Sequence, residues 1–474
     1  MDIKKTLQKI QGSCKDFLPG GIVFTPVKLR INYAIQKMTP KTTPIRSSEE
    51  HPDPLSYAGQ GLKIDLNLMG SREYTKISYP IKYGIHSRLE TSEFIVEFDL
   101  NHEIRHIRGK TNAWHHPQEW LKRTKGNDWV YYSTGGYAGV FESIGEYYLP
   151  NLMYTTNSLL GGKPFNEPEV DRLSRGWHQT LSGLNIDSSA MPEPIAQWTD
   201  RILSKTPADL CNRAERLFAI PGGRVTVLPP DARHSDYDVI PLTIADGCLY
   251  KCRFCKVKNK KAFTPRSRDD IDRQLIELKA MYDKDLVNYN AVFLGEHDAL
   301  NAPTELILYA ARAAYDTLEF DTSIMTKPML YMFGSVDALL NADDTLFKEL
   351  DALHFHTCIN IGLESADQTT LDRIGKPVTS KKVIQAFDRM QEINRNYSKV
   401  ELTCNFIMDE GLPQGHNTAM MDLLREKLKF TQPKGTVYLS PLRFGRPSRE
   451  VLFDFYYLKA KSRLPMFLYI IQRL

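Results

Sequence analysis

The chain has 474 residues, and single hydrophobic cores stop growing near ~250–300 residues, so two or three domains are expected. Its hydrophobic share of 42%, charged share of 25% and net charge of +4 fit a globular protein and exclude a global nucleic-acid signature. No stretch approaches the ~18 apolar residues of a spanning helix, and MDIKKTLQKIQGSCKDFLPGG lacks the apolar run of a secretory leader. The expected compartment is the cytoplasm.

Residues 1–235 read as a mixed α+β domain of unknown function that caps a substrate site. KMTPKTTPIRSSEEHPDP (37–54) is a polar, proline-rich surface loop. EFIVEFDLNHEIRHIRG (93–109) alternates with period two, which predicts one strand with Phe94, Val96, Phe98, Leu100 and Ile104 on a single face. WVYYSTGGY (129–137) adds an aromatic run. HEIRH (102–106) has the spacing of a zinc-protease motif, but that motif needs a helix to bring both histidines to one face. In a strand His102 and His106 would lie ~13 Å apart, too far to share a metal ion.

Downstream of residue 236 apolar runs alternate with amphipathic segments. The predicted strands are VIPLTIA (239–245), NAVFLGE (290–296), DTSIMTK (321–327), TCINIGLES (357–365), VELTCNFIM (400–408) and TVYLSPLRF (436–444). Ser267 is placed to cap a helix burying Ile271, Leu275, Leu278 and Tyr282, and Pro303 to open a helix over 304–315. DDTLFKELDAL (343–353), SKKVIQAFDRMQEINR (380–395) and NTAMMDLLREKLKF (417–430) have helical spacing. Six βα units predict a parallel sheet with outer helices over 236–445, closed into a partial barrel, with the chemistry at the carboxyl ends of the strands. The stretch 446–474 is expected to form a terminal helix and a packing segment. Its mixture of basic and apolar residues also admits contact with a membrane surface.

CLYKCRFC (248–255) follows the first of these strands and gathers Cys248, Cys252 and Cys255 out of seven cysteines. In a reducing compartment clustered thiols suggest a metal rather than disulfides. Thiolates suit zinc or an iron–sulfur cluster. Structural zinc wants four protein ligands and a second CxxC-like pair is absent, whereas a [4Fe–4S] cluster on three cysteines keeps one iron open. The remaining cysteines are isolated. Cys358 and Cys404 fall inside predicted strands as small buried hydrophobes, and no second cluster is expected.

Cys-x3-Cys-x2-Cys, with Phe254 before the last cysteine, resembles the signature of the radical S-adenosylmethionine (SAM) superfamily. The resemblance implies a [4Fe–4S] cluster on Cys248, Cys252 and Cys255, SAM bound at its open iron, and cleavage to a 5′-deoxyadenosyl radical. It also implies a one-electron donor such as flavodoxin or ferredoxin. FLGEHDAL (293–300) is similar to the superfamily's Gly-Gly-Glu region, with Leu294 in place of the first glycine, which would put Gly295 and Glu296 near the SAM amino group. IGLESADQTTLDRIGKP (361–377) resembles the branch of the Elongator catalytic subunit, the methylthiotransferases and the nitrogenase-cofactor maturation enzyme. By that match Glu364 and Ser365 approach the ribose or methionine of SAM, and Asn405, in NFIMDEGLPQGH (405–416), supplies a further polar contact.

The basic stretch KCRFCKVKNKKAFTPRSR (251–268) reads as a solvated loop, since aromatic interleaving is poor and nucleic acid is not an expected partner. The reading is a radical SAM enzyme acting on a small or macromolecular substrate that the sequence does not name. The alternative is a non-catalytic metal or iron–sulfur protein used for structure, sensing or electron transfer.

Overall fold

A computed structural model describes residues 53–77, 81–134, 148–153, 163–255, 261–429, 434–442 and 449–474, within the unit Pro52–Leu474. The proline-rich loop at 37–52, Cys14 and the end of the 129–137 run lie outside the described residues.

Two sheets organise the chain. The first is antiparallel, its strands neighbouring one another in chain order: β1 (Leu55–Gly59), β2 (Leu62–Met69), β3 (Ile85–Glu90), β4 (Phe94–Phe98), β5 (Ile104–Gly109), β6 (Trp120–Arg123), β7 (Trp129–Ser133) and β8 (Leu149–Leu152). The single strand expected over 93–109 is a hairpin, with Val96 opposite Ile107. Asp99 causes the break: its Oδ1 accepts from the backbone N–H of Asn101 (3.0 Å) and Glu103 (2.9 Å), a local alternative to the ladder. His102 takes a left-handed turn conformation (φ 62°), while His106 pairs across the ladder with Glu97, so the two histidines of HEIRH share neither a helix nor a strand. One face of this sheet is covered by the helices Pro168–Ser174, Trp177–Ser182 and Glu193–Ser204, which bury Trp177, Ile195 and Trp198 against Phe98 and Ile107.

The second sheet is parallel and also in chain order: β9 (Ile240–Thr243), β12 (Ala291–Gly295), β13 (Met329–Gly334), β14 (His356–Glu364), β15 (Val400–Met408), β16 (Val437–Pro441) and β17 (Met466–Leu468). Between the first two, β10 (Ala245–Asp246) and β11 (Thr264–Pro265) form a small antiparallel ribbon. Helices fill the crossovers, as expected for parallel strands. The Ser267 hydroxyl accepts from the Asp270 N–H at the head of Arg268–Tyr282, and Ile271, Leu275, Leu278 and Tyr282 are buried. The expected strand at 321–327 is instead a linker, bonded through Ser323 to the Val287 carbonyl and through the Thr326 N–H to the Arg72 carbonyl. The strand itself starts after Pro328. The 446–474 stretch supplies a helix, Arg449–Lys461, and then strand β17. Among the described residues no helix is long and apolar enough to cross a membrane.

The antiparallel sheet meets the N-terminal ends of the parallel strands. Lys122 Nζ donates to Asp236 (2.7 Å) and Asp238 (2.9 Å), just before β9. Lys125 Nζ donates to Asp99 (2.6 Å) and Asp285 (2.9 Å), and Asn288 exchanges hydrogen bonds with the Ile85 backbone just before β12. These contacts lie opposite the carboxyl ends that the N-terminal half is expected to cap.

Alternation along the parallel strands sorts their side chains onto two faces. One face carries Cys358, Asn360 and Gly362 beside Glu401, Thr403 and Asn405. Its N-terminal level is filled: Asp231 accepts from Thr403 Oγ1 (2.8 Å) and Tyr438 OH (2.9 Å), and Lys76 bridges Asp231 (3.0 Å) and Glu401 (3.1 Å). The opposite face, with Leu402, Cys404 and Phe406, is fully buried.

Glu97, 1% exposed, sits among Lys82 (2.5 Å), Arg88 (2.8 Å), His106 (3.6 Å) and His86 (3.8 Å). Burial pushes its carboxyl up, but Lys82 foremost outweighs this and lowers it from 4.5 to about 2; burial holds His86 and His106 toward their neutral forms, so their share is the smaller one. A depressed acid contributes stability that is present above its unfolded value and lost as pH falls through the folded one. Between pH 4.5 and 2 the protein should therefore lose stability, on the order of 1–3 kcal/mol, that a Glu97→Gln variant does not lose over the same range. Urea unfolding at stepped pH measures it, and parallel curves for the two proteins would refute the assignment.

Candidate functional site

The cysteine segment leaves the β9 end of the sheet through a turn that only glycine fits. Gly247 has φ +80°, and a Cβ there would lie 2.4 Å from the Ala262 carbonyl oxygen. The segment is then held by three other parts of the fold. The Leu249 N–H donates to Asp298 Oδ2 (3.3 Å), whose Oδ1 accepts from the Ser335 N–H (2.7 Å). Tyr250 OH donates to Asp337 Oδ2 (2.7 Å) and accepts from the Asp337 N–H (2.9 Å). Arg253 donates to the Asp372 carbonyl (2.7 Å), and the Phe254 N–H to that of Ile374 (3.3 Å), at the end of the helix Gln368–Ile374. Carbonyls in the last turn of a helix have lone pairs free of the helical ladder; that of Asp372 also accepts from the Gly375 N–H (3.1 Å).

So held, Cys248, Cys252 and Cys255 line one cavity of about 180 Å³ together with Glu364 and Asn405. The cavity lies on the same face as the Asp231–Lys76 floor, one level nearer the carboxyl ends, where Gly362, Asn405 and Ile407 follow Thr403. Burial pushes the Cys248 thiol up to about 12, with Asp298 adding to the effect, and burial also raises Cys252. Thiols so raised stay protonated until a metal displaces the proton. Among the described residues no three His, Cys, Asp or Glu side chains group closely enough for a single metal ion, and the thiols are set around the cavity wall.

Glu364 reaches the cavity through a β-bulge: the β14–β15 register shifts between Gly362 and Glu364, and Glu364 takes a left-handed backbone (φ 65°). Bulges of this kind re-aim a side chain beside a site, and a non-glycine residue with positive φ costs ~1–3 kcal/mol. Burial raises its carboxyl, with Lys376 opposing. Asn405 Oδ1 is buried without a hydrogen-bond partner, as is Asn360 Oδ1 on the neighbouring strand, and both residues line the cavity. Buried amide oxygens ordinarily find a donor, so these two face a place where one is expected to sit.

The other sequence-derived residues, Gly295, Glu296 and Ser365, are not among those that line the cavity. Gly295 ends β12 with its carbonyl accepting from the Ile244 N–H (3.1 Å). Glu296 accepts from the Thr226 N–H (2.9 Å) and Oγ1 (2.6 Å) and lies 3.2 Å from His297 Nε2. Burial would raise its carboxyl, but His297 and Thr226 outweigh this and lower it. Ser365 is fully buried, its Oγ 2.8 Å from His416 Nδ1. Of this group it is His297 that lines the cavity, along with Tyr250 and Lys376. Sequence reasoning assigned none of these three, although Lys376 lies in the segment that carries the family resemblance. Of the basic stretch, Lys251 and Arg253 are exposed, Arg266 is tied to Asp246 (3.0 Å) and Asp270 (3.1 Å), and 256–260 fall outside the described residues.

Residues 242–408, from within β9 to the end of β15, match the family described as the radical SAM superfamily. The matched stretch contains the cysteine segment, Glu364 and Asn405. Among curated proteins no sequence matches the chain. Among solved structures it is similar to the cobalamin-dependent SAM radical enzyme OxsB with aqua-cobalamin bound, at 19% identity over 48% of this chain and 31% of that one (TM-score 0.31). It is also similar to a radical SAM methyltransferase from Sphaerobacter thermophilus, at 14% identity over 65% and 93% of the two chains (TM-score 0.34). SuiB of Streptococcus suis is 12% identical over 75% and 71% (TM-score 0.31). The chain thus spans less than a third of OxsB's length.

Proposed function

We propose that Cys248, Cys252 and Cys255 hold the cluster and that Glu364 and Asn405 bind SAM beside it. The observation that supports this reading is that all five side chains line one cavity at the carboxyl ends of parallel strands. A soft thiolate triplet suits iron–sulfur ligation, and three ligands leave one iron for SAM. When bound, the cofactors supply one-electron cleavage of SAM to methionine and a 5′-deoxyadenosyl radical. Glu364 offers an acceptor to the SAM ribose or amino group, and the Asn405 and Asn360 amide oxygens accept from the ligand the hydrogen bonds they lack. Glu296 and Ser365, bonded to Thr226 and His416, fix the strand ends on which these groups stand.

In this reading residues 236–445 are a catalytic core, a partial (β/α)6 barrel close to the Elongator and methylthiotransferase branch through its IGLES segment. The substrate enters from the carboxyl ends, beside Val227 and Tyr469, which line the same cavity. The protein works in the cytoplasm with a flavodoxin or ferredoxin as reductant.

The reduced, reconstituted protein should give an electron-spin signal that changes on adding SAM, and iron should total ~4 per chain. With a strong reductant it should convert SAM to 5′-deoxyadenosine and methionine. Glu364→Ala should weaken SAM binding about tenfold or more, the loss of ~1.5–3 kcal/mol from a hydrogen bond to a charged group, at unchanged iron content. A spin signal indifferent to SAM would overturn the reading.

A further inference from the structure

Among the described residues lining the cavity, Lys376 is the one lysine or arginine and Glu364 the one aspartate or glutamate. The two side chains are 4% and 13% exposed, with Lys376 Nζ 3.8 Å from Glu364 Oε1. That separation is longer than a hydrogen bond, so the ammonium is not locked to the carboxylate. It also lies 5.1 Å over the ring of Tyr250, a residue of the cysteine segment itself. Cys248, Cys252 and Cys255 line the same cavity as this ammonium. A cation this deeply buried interacts with a neighbouring charge several times more strongly than it would in water.

We propose that Lys376 is the fixed positive charge that makes the cluster easier to reduce, and that Glu364 opposes it. This rests on the assignment of the cluster to Cys248, Cys252 and Cys255. Reduction adds one electron from a low-potential donor to the cluster and no proton, so the site becomes more negative by one charge. A nearby ammonium stabilises that product more than the oxidised form, and a nearby carboxylate does the reverse. Net charge near a cluster is one of the quantities that set its potential.

The test is a redox titration of reconstituted, SAM-free protein followed by its spin signal. Lys376→Met should keep ~4 iron per chain and shift the reduction equilibrium about tenfold toward the oxidised form, about 59 mV for a one-electron couple. Lys376→Arg should restore the wild-type value, and Glu364→Gln should shift it the other way. Potentials that do not move, or that move in the same direction in Lys376→Met and Glu364→Gln, would overturn the proposal, since a merely structural role predicts no opposition of sign. If Lys376→Met fails to hold iron, Glu364→Gln decides alone, and an unshifted potential there refutes it. Wild-type protein that takes up no iron would instead sink the assignment of the cluster itself.

Discussion

Cys252→Ala should leave anaerobically reconstituted protein colourless, with iron falling from ~4 per chain to background and 5′-deoxyadenosine formation abolished, while Cys211→Ala retains both. Cys252 is 7% exposed and lines the cavity between the other two cysteines of its segment. Losing one of three thiolates leaves two irons without protein ligands, and a cubane held at two corners has no substitute nearby. Among the described residues the remaining cysteines lie apart: Cys358 and Cys404 are buried within strands, and Cys211 is exposed on the helix Pro207–Ala219. A brown, iron-loaded Cys252→Ala protein would place the cluster elsewhere.

Asp298→Ala should cost about 2–6 kcal/mol of stability and deplete the cluster as well. Asp298 is 1% exposed, and each of its carboxylate oxygens accepts from one backbone N–H. Truncation orphans two donors, each at ~1–3 kcal/mol. One of them belongs to Leu249, next to Cys248, so the damage is delivered to the cysteine segment. Asp298→Asn keeps a single acceptor oxygen and should fall between the two in both urea midpoint and retained iron. Full iron loading in Asp298→Ala would show that the segment does not depend on this anchor.

The parallel half was legible because its signals are local. VELTCNFIM and TCINIGLES match β15 and β14 almost residue for residue, and Ser267 caps the helix it was expected to cap. DTSIMTK misled because its β-branched and apolar residues read as a strand, whereas the Ser323 hydroxyl and the Thr326 backbone find partners at Val287 and Arg72, remote in sequence. The hairpin at Asp99 was hidden for the opposite reason: apolar spacing continues across the turn. The cysteines announced themselves by clustering. Lys376, Asp298 and Asn360 did not, because each matters through what the fold sets beside it: a carboxylate, two N–H groups and the cavity wall. A sequence pattern carries the periodicity of a strand but not the identity of the residue across the cavity.

The seat of the cysteine segment spreads across Asp298, Asp337, Asp372 and Ile374. Eight residues that leave the ribosome together are therefore given their shape by parts of the chain made long afterwards. Contacts of such large sequence separation carry a loop-closure cost that local ones do not. While residues up to Ile374 are still being synthesised, the thiols are tethered but unorganised. In the reading proposed above, iron and sulfide would meet a recess that is complete only once the chain has folded as far as Ile374.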